Sequence, residues 1–169
     1  GSEMCIRDRY YIYTDGSHFK GKTASGRLGI GGVLVDPEGI GPHGKELSSF
    51  SQEILPEFVK LHYGTQDCSN PTMELFAILY ALQQFKGSYS DQDLIICKAD
   101  YLGVSKWLNG EWKITKPYIQ KIKNEISELI RKENLNIKFE WVKGHQDKSV
   151  DTDDSYWNDV VDKLAKGGK

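Results

Sequence analysis

The sequence predicts an α/β fold in which helices cover both faces of a five-stranded mixed sheet. Three observations lead to this fold class. Strand-like and helix-like segments follow one another in the order βββαβααβα. The helix predicted over residues 70–85 is apolar around most of its circumference, so it must lie centrally against a sheet. Residues 93–99 form a short apolar run, which is typical of an inner strand covered on both faces.

Length and composition favour one globular domain. The chain has 169 residues, of which 38% are hydrophobic and 27% charged, enough for a core of its own. We expect residues 1–9 to be a tag or disordered N-terminus and residues 10–169 to form the domain. The formal net charge of -2 lacks the basic signature of a nucleic-acid-binding protein, so such a function has to be argued from a site.

The same composition predicts where the chain works. No apolar run approaches the ~20 residues that span a bilayer, so we expect no membrane association. The three cysteines form no close pair, which favours a reduced, cytoplasmic setting over secretion. We also expect a monomer.

Three strands come first in the chain. Residues 10–14 are rich in β-branched and aromatic side chains and predict a strand that ends in a turn at Asp15-Gly16-Ser17. Residues 28–35 predict a second strand and residues 46–50 a weaker third, so the three indicate an antiparallel meander. Residues 52–68 show no clear period, and we interpret them as a surface insertion that could contain a short helix over residues 54–61.

The helices and the last two strands follow. Asn70 is a favourable N-cap and Pro71 a favourable first residue for the apolar helix. Asp100 ends the strand at residues 93–99, where open α/β sheets place their ligands. The remaining predicted elements are a short helix over residues 101–108, a periodic helix over residues 117–132, an alternating strand over residues 135–142 and a final helix over residues 155–166.

Four carboxylates stand out because of where they lie. Asp15 and Asp100 end the first and fourth strands, Glu74 lies in the first turn of the apolar helix, and Asp162 lies on the last helix. Each alone is typical of a solvated surface charge. If the first and fourth strands are neighbours, Asp15 and Asp100 emerge side by side, and a divalent cation would offset their repulsion. Since only oxygen ligands are offered, the metal would be Mg²⁺ or Mn²⁺ rather than zinc.

Five segments of the chain resemble, in order, the five motif blocks of the type 1 ribonuclease H family. The segments are Tyr13-Thr14-Asp15-Gly16-Ser17, Asn70-Pro71-Thr72-Met73-Glu74-Leu75, Lys98-Ala99-Asp100-Tyr101, Trp141-Val142-Lys143-Gly144-His145 and Asn158-Asp159-Val160-Val161-Asp162-Lys163-Leu164-Ala165. The resemblance covers nearly the whole predicted domain. A single block is weakly specific, but five in sequence on the predicted frame make coincidence improbable.

The resemblance implies hydrolysis of the RNA strand of an RNA–DNA hybrid, which leaves 5′-phosphate and 3′-hydroxyl ends. Asp15 would bridge two Mg²⁺ ions, Glu74 and Asp100 would help to hold one of them, and Asp162 the other, with Mn²⁺ as a substitute. Two cations ~4 Å apart can activate water and neutralise the leaving oxygen, which agrees with these roles. His145 matches the family's mobile-loop histidine, which implies a proton shuttle or product-release aid; a plain surface histidine is the alternative.

Selectivity would come from the 2′-hydroxyl groups that an A-like duplex displays across its wide minor groove. The resemblance assigns their recognition to the backbone around Gly16 and Ser17, to the Glu74 side chain and to the helix start at Asn70. Asn70 can equally be only an N-cap.

The chain departs from the family pattern in three places. Tyr101-Leu102 stands where better-studied members often have a small polar residue and then Gln, and Pro71 stands where many have a second Asn. Residues 108–118 leave no room for the basic helical protrusion of some bacterial members, so binding to a hybrid should be weak and salt-sensitive unless another domain contributes. A reduced remnant of that protrusion could consist of Trp112, Lys113 and Lys116.

The loop before the last helix is long and acidic. Its acidic residues are Asp147, Asp151, Asp153 and Asp154. They could hinder the approach of a polyanion or bind metal loosely.

Other classes of function share part of this pattern. An aspartyl phosphatase has a carboxylate nucleophile two residues before its acid, and Tyr13 occupies that position relative to Asp15. A transposase or integrase core shares the fold and the metal chemistry, but the Glu74 helix and the block at residues 158–165 are not its pattern. A catalytically inactive module that binds hybrids or duplex RNA stays open, as does the ribonuclease H domain of a larger reverse transcriptase with a polymerase partner.

Overall fold

The computed structural model describes residues 7–18, 28–143 and 152–168 of the chain. Within these ranges the chain forms five strands and five helices. In chain order they are β1 (Arg9–His18), β2 (Leu28–Asp36), β3 (Lys45–Ile54), α1 (Pro56–Tyr63), α2 (Asn70–Gln84), β4 (Leu94–Ala99), α3 (Leu102–Leu108), α4 (Pro117–Lys132), β5 (Asn136–Trp141) and α5 (Asp153–Ala165).

The strands form one mixed sheet in the order β3-β2-β1-β4-β5. β1, β2 and β3 make the predicted antiparallel meander. β4 pairs in parallel with β1, and β5 pairs in parallel with β4. The fold class is therefore confirmed, and β1 lies at the centre of the sheet with one antiparallel and one parallel neighbour.

Helices cover both faces of the sheet. On one face α2 packs against β1 and β2, and α4 packs on α2. This arrangement encloses α2 between the sheet and another helix, so every residue from 72 to 79 is buried, as its apolar circumference predicts. On the other face α5 packs against β1, β2 and β3, with Tyr13 and Trp157 buried between them. No helix in the described ranges is both long and apolar enough to cross a membrane.

β1 extends further than the sequence predicts. A turn is predicted at Asp15-Gly16-Ser17, whereas β1 continues to His18 and stays paired with β2 as far as Leu28. Gly16 serves a different purpose, because a Cβ atom at this residue would lie 2.5 Å from the backbone carbonyl carbon of Met73. The glycine lets α2 pass close to β1, and the turn prediction is wrong.

Other element ends differ as well. The N-cap of α2 is Ser69, so Asn70 is the first helical residue rather than the cap, and Glu74 is the fifth helical residue rather than part of the first turn. α5 begins at Asp153, two residues before its predicted start. β1 begins at Arg9, and just before it Arg7 N donates a hydrogen bond to Gln92 O at 3.1 Å.

The predicted insertion is partly sheet and partly helix. β3 reaches Ile54, so residues 52–54 belong to the edge of the sheet. α1 follows two residues later than the helix predicted over residues 54–61. It is attached to the core through buried Val59 and through Tyr63, whose hydroxyl donates to Glu125 Oε2 on α4 at 2.5 Å.

The close approach of α5 to β2 depends on two glycines. A Cβ atom at Gly29 would lie 1.9 Å from the carbonyl oxygen of Ala165, and one at Gly31 would lie 2.8 Å from that of Val161. Both distances are to helix backbone, which cannot move aside as a flexible side chain could. Any larger residue would push α5 away from the sheet.

We therefore expect Gly31→Ala to destabilise the fold by about 1–3 kcal/mol, the usual cost of overpacking. Urea unfolding followed by circular dichroism measures this change. Ser49→Ala, on the exposed surface of β3, is the control and should stay within about 0.5 kcal/mol of the wild type. Equal stability of the two variants would contradict the close packing of α5 on β2.

Candidate active site

The candidate site lies where β4 ends beside β1. Thr14 and Ala99 are the last paired residues of the parallel β1–β4 ladder, so Asp15 and Asp100 are the next residue on each strand. β1 continues past this point because β2 pairs with its other edge. The end of β4 therefore opens the sheet beside Asp15, where side chains from other elements can reach it.

Three carboxylates meet at this opening. One oxygen from each of Asp15, Glu74 and Asp100 lies within 4.8 Å of the other two. Glu74 comes from α2, and its Oε1 accepts a hydrogen bond from Gly16 N at 3.2 Å. Gly16 thus acts twice, since its missing side chain admits α2 and its N–H orients the Glu74 carboxylate.

Burial changes the acidity of this cluster. Asp15 is 5% exposed and Glu74 3% exposed. Burial raises the pKa of Asp15 to about 7, and the charges of Asp100 and Asp162 act in the same direction. Burial also raises the pKa of Glu74 well above its usual range, and the charge of Asp15 adds to this rise. The negative charges are therefore poorly solvated, and a cation would stabilise them.

Asp162 approaches the cluster from α5. It lies close enough to Asp15 for its negative charge to raise the pKa of Asp15. Its Oδ2 accepts a hydrogen bond from Lys166 Nζ at 2.9 Å, one turn further along the chain. The four predicted carboxylates thus come from β1, α2, the residue after β4 and α5; Asp15, Glu74 and Asp100 are mutually close, and the charge of Asp162 acts on Asp15.

The donor set fits a hard divalent cation. The cluster offers carboxylate oxygens, which Mg²⁺ and Mn²⁺ prefer. Glu74 Oε2 is buried and has no hydrogen-bond partner among the described residues, although buried polar atoms normally have one. A cation would supply that partner and offset the mutual repulsion of Asp15, Glu74 and Asp100.

Residues predicted to contact substrate lie on two elements and one loop. Gly16 and Ser17 follow Asp15 on β1, and the Gly16 N–H already donates to Glu74. Asn70 is exposed at the start of α2.

The residues predicted to be a remnant of the basic protrusion lie in the loop between α3 and α4; they are Trp112, Lys113 and Lys116. Lys113 and Lys116 line a cavity of about 200 Å³ with Thr72, close to the start of α2. Lys116 also forms an ion pair with Asp67 at 3.5 Å. Trp112, in the same loop, is 45% exposed.

The described residues do not include His145. They also do not include Asp147 and Asp151 of the predicted acidic loop. Asp153 and Asp154 are instead the first two residues of α5.

The first turn of α5 is held by its acidic residues. Asp153 Oδ1 lies 3.0 Å from His43 Nδ1. Asp154 Oδ1 accepts hydrogen bonds from the Tyr13 hydroxyl at 2.5 Å and from Lys98 Nζ at 2.8 Å. These two carboxylates are therefore engaged within the protein and anchor α5 to the sheet and to the β2–β3 connection.

Two residues of the motif blocks, Lys98 and Trp141, have contacts near the site that the sequence does not predict. Lys98 is the one charged residue of β4, and a lysine in an otherwise apolar inner strand indicates an acidic partner, here the half-buried Asp154. Trp141 ends β5, and its Nε1 donates to the backbone oxygen of Asp100 at 3.0 Å. No sequence pattern predicts that second contact, because it depends on the register of β5 against β4.

Asp15→Asn should change how stability depends on pH. Without divalent cations, the pKa of Asp15 in the folded protein is about 7, whereas the ordinary pKa of an aspartate carboxyl is 3.8. Between these values the folded state binds more protons than the unfolded state, so the free energy of unfolding falls as pH rises, by at most about 1.4 kcal/mol per pH unit. The variant avoids this loss and should exceed the wild type in stability at about pH 8, with a smaller difference at about pH 4.

Urea unfolding in a chelator across this pH range measures the difference. Asp159→Asn alters an exposed carboxylate on α5 and serves as the control. If Asp15→Asn follows the same pH curve as the wild type and the control, the raised pKa of Asp15 is excluded.

Comparison with known proteins agrees with the geometry. The chain is 29% identical over 167 residues to a ribonuclease H of Syntrophomonas wolfei, covering 92% of each chain. Its fold is similar to LC11-RNase H1, isolated from compost and solved with an RNA/DNA hybrid (TM-score 0.66, 19% identity, 94% of this chain and 95% of that one). It is also similar to part of the Prototype Foamy Virus protease-reverse transcriptase (TM-score 0.67, 20% identity, 97% of this chain and 21% of that one). Since the RNase H family model matches residues 7–169, the chain belongs to the ribonuclease H family.

Proposed function

We propose that this chain is a metal-dependent endonuclease that hydrolyses the RNA strand of RNA–DNA hybrids and leaves 5′-phosphate and 3′-hydroxyl ends. The observation that carries the proposal is the convergence of Asp15, Glu74 and Asp100, whose oxygens lie within 4.8 Å of one another. Membership of the ribonuclease H family supports nuclease activity. The hybrid bound to LC11-RNase H1 supports this choice of substrate.

Asp15, Glu74, Asp100 and Asp162 would hold two Mg²⁺ ions, with Mn²⁺ as a substitute. When bound, such a pair activates water and stabilises the leaving oxygen of a phosphodiester. Asp15 would be the ligand that both ions share, because oxygens of Glu74 and Asp100 lie within 4.8 Å of its own and the charge of Asp162 on α5 acts on it as well.

The protein's own part is to present these oxygens in a fixed arrangement. The Gly16 N–H holds Glu74, and burial keeps water away from both Glu74 and Asp15. Because the pKa of Asp15 is raised to about 7, its carboxylate is incompletely ionised below neutral pH. Loading with metal, and therefore activity, should improve as pH rises through neutrality. His145 would serve as a proton shuttle or product-release aid.

Substrate recognition would use the surface around the cluster. Gly16 and Ser17 lie beside Asp15 on β1, and Asn70 is exposed at the start of α2. The loop with Trp112, Lys113 and Lys116 would contact phosphates further along the duplex.

A second candidate is the same activity within a larger protein. The Prototype Foamy Virus relative is a protease-reverse transcriptase of which this chain matches 21%. Under this alternative a polymerase domain would supply further contacts to the hybrid.

Asp15→Asn and Asp100→Asn should each reduce hybrid cleavage by about a thousandfold or more, because each removes an ionic ligand from the cluster. A labelled RNA–DNA hybrid incubated with MgCl₂ measures this loss. Circular dichroism should show that both variants remain folded. Asp159→Asn is the matched control, the same chemical change on the exposed surface of α5.

Two results would reject the proposed function. One is the absence of hybrid cleavage by the wild type in either MgCl₂ or MnCl₂, with a gel shift of the hybrid then indicating an inactive binding module. The other is equal cleavage of single-stranded RNA. Substantial activity of Asp15→Asn would instead contradict the assigned metal roles.

Lys113→Ala should weaken hybrid binding to a similar degree on different sequences and lower the salt dependence of binding by about one phosphate contact. Lys116→Ala should have a smaller effect, because Asp67 already balances part of its charge. Binding isotherms at several KCl concentrations in a chelator provide the measurement. Lys132→Ala, at the exposed end of α4, is the control; an equal loss there would show only a general charge effect.

A further inference from the structure

Trp141 has an unusual environment for a large aromatic residue. It ends β5, and its side chain is 48% exposed. Its indole N–H is the one hydrogen-bond donor of that side chain. This N–H donates to the backbone oxygen of Asp100 at 3.0 Å. The contact therefore joins an exposed ring directly to one of the clustered acidic residues.

The contact lies just beyond the last residue pair of the β4–β5 ladder. Ala99 is opposite Trp141 in the parallel register, and Val142 N donates to Ala99 O at 2.9 Å. Asp100 lies one residue past the end of β4. Its carbonyl is met by the Trp141 side chain instead of by a strand, so the indole holds the backbone at this point.

The backbone of Asp100 lies outside the strand ladders, unlike that of Asp15. Asp15 lies within a strand paired to β2, and Glu74 lies within a buried helix and accepts from Gly16 N. Asp100 is half-buried and lies one residue past the end of β4, where the Trp141 indole contacts its backbone oxygen.

We propose that Trp141 is a positioning residue, whose indole N–H fixes the Asp100 backbone so that its carboxylate stays beside Asp15 and Glu74 and the cluster binds divalent cations. The inference rests on the proposed function only for its metal site. An exposed ring beside the cluster could instead stack on a nucleic-acid base, a role that needs the ring but not the N–H.

The variants Trp141→Phe and Trp141→Ala separate these roles. Phe keeps an aromatic ring and removes the donor, whereas Ala removes both. Calorimetric titration with MnCl₂ and with MgCl₂, without nucleic acid, measures cation affinity. Loss of a hydrogen bond that orients a ligand typically weakens metal affinity at least about tenfold, so we expect about this loss from both variants. Tyr156→Phe is the matched control, since it also removes the hydrogen-bond donor of an exposed aromatic side chain (44% exposed) and keeps the ring, and its cation affinity should equal that of the wild type.

Several results would overturn the proposal. Trp141→Phe within about twofold of the wild type would exclude a role of the N–H in positioning. Weaker hybrid binding by Trp141→Ala, with unchanged cation affinity in both Trp141 variants, would assign Trp141 to stacking instead. Failure of the wild type to bind either cation at millimolar concentration would also overturn it.

A measurement on the wild type keeps the proposal testable if the variants fail to fold. In ¹⁵N-labelled protein the Trp141 indole N–H should exchange with solvent at least about tenfold more slowly than that of Trp112, despite similar exposure of the rings. Equal exchange rates would show that the hydrogen bond to Asp100 is not maintained. Hybrid cleavage by the wild type is assayed separately, so the proposed function can fail while the Trp141 result stands, and the reverse.

Discussion

The burial of like charges at the end of β4 is the constraint around which this structure is arranged. The charge of Asp15 raises the energy of the charged form of Glu74, and the charge of Asp100 does so for both residues, whereas a hydrogen bond with Glu74 favours the charged form of Asp15. Free of the fold, these carboxylates would separate. The parallel register of β1 against β4 holds Asp15 and Asp100 adjacent, and the close passage of α2 over Gly16 brings Glu74 to them. The apolar core therefore stabilises an arrangement that is opposed by the repulsion among the clustered carboxylates, which is the usual condition of a preorganised site.

The position of Asp162 depends on both ends of α5. Near its C-terminal end the helix lies against β2, where Gly29 and Gly31 leave room for its backbone. Near its N-terminal end Asp154 binds Lys98, whose Nζ also lies 4.4 Å from the centre of the Tyr11 ring. Lys98 is two residues before Asp100 on β4, so the strand that supplies one clustered carboxylate also anchors the helix that supplies another. A paired buried charge is weak evidence of stability, but its geometry can fix the orientation of a helix.

The sequence predicts those parts of the fold and site that depend on a period or on a local motif. Strand-type composition, an apolar run, one alternating segment and the helical periods predict all five strands and the main helices, and Asp15, Glu74 and Asp100 from three of the motif blocks are found together. Features that depend on long-range contact are not predicted. The Asp15-Gly16-Ser17 segment has the composition of a turn, but pairing with β2 keeps it extended. A glycine is needed at residue 16 because the backbone of Met73, from a distant part of the chain, leaves no room for a side chain. Likewise, Asp153 and Asp154 have the composition of a solvated loop, whereas His43, Tyr13 and Lys98 engage them within the fold.

The charge of the chain indicates that cations would bind at such a site before a hybrid does. With a formal net charge of -2 and clustered carboxylates, the protein has little long-range attraction for a phosphate backbone. Lys113 and Lys116 line a cavity near the start of α2, but Lys116 is partly balanced by Asp67. Cations at the carboxylates would therefore change the local potential from repulsive to attractive before a hybrid binds. Because binding free energies are reciprocal, a bound hybrid would tighten cation binding by the same factor. Under the proposed function, metal affinity and substrate affinity would consequently be two aspects of one electrostatic balance, and a group that holds Asp100 in place would influence both.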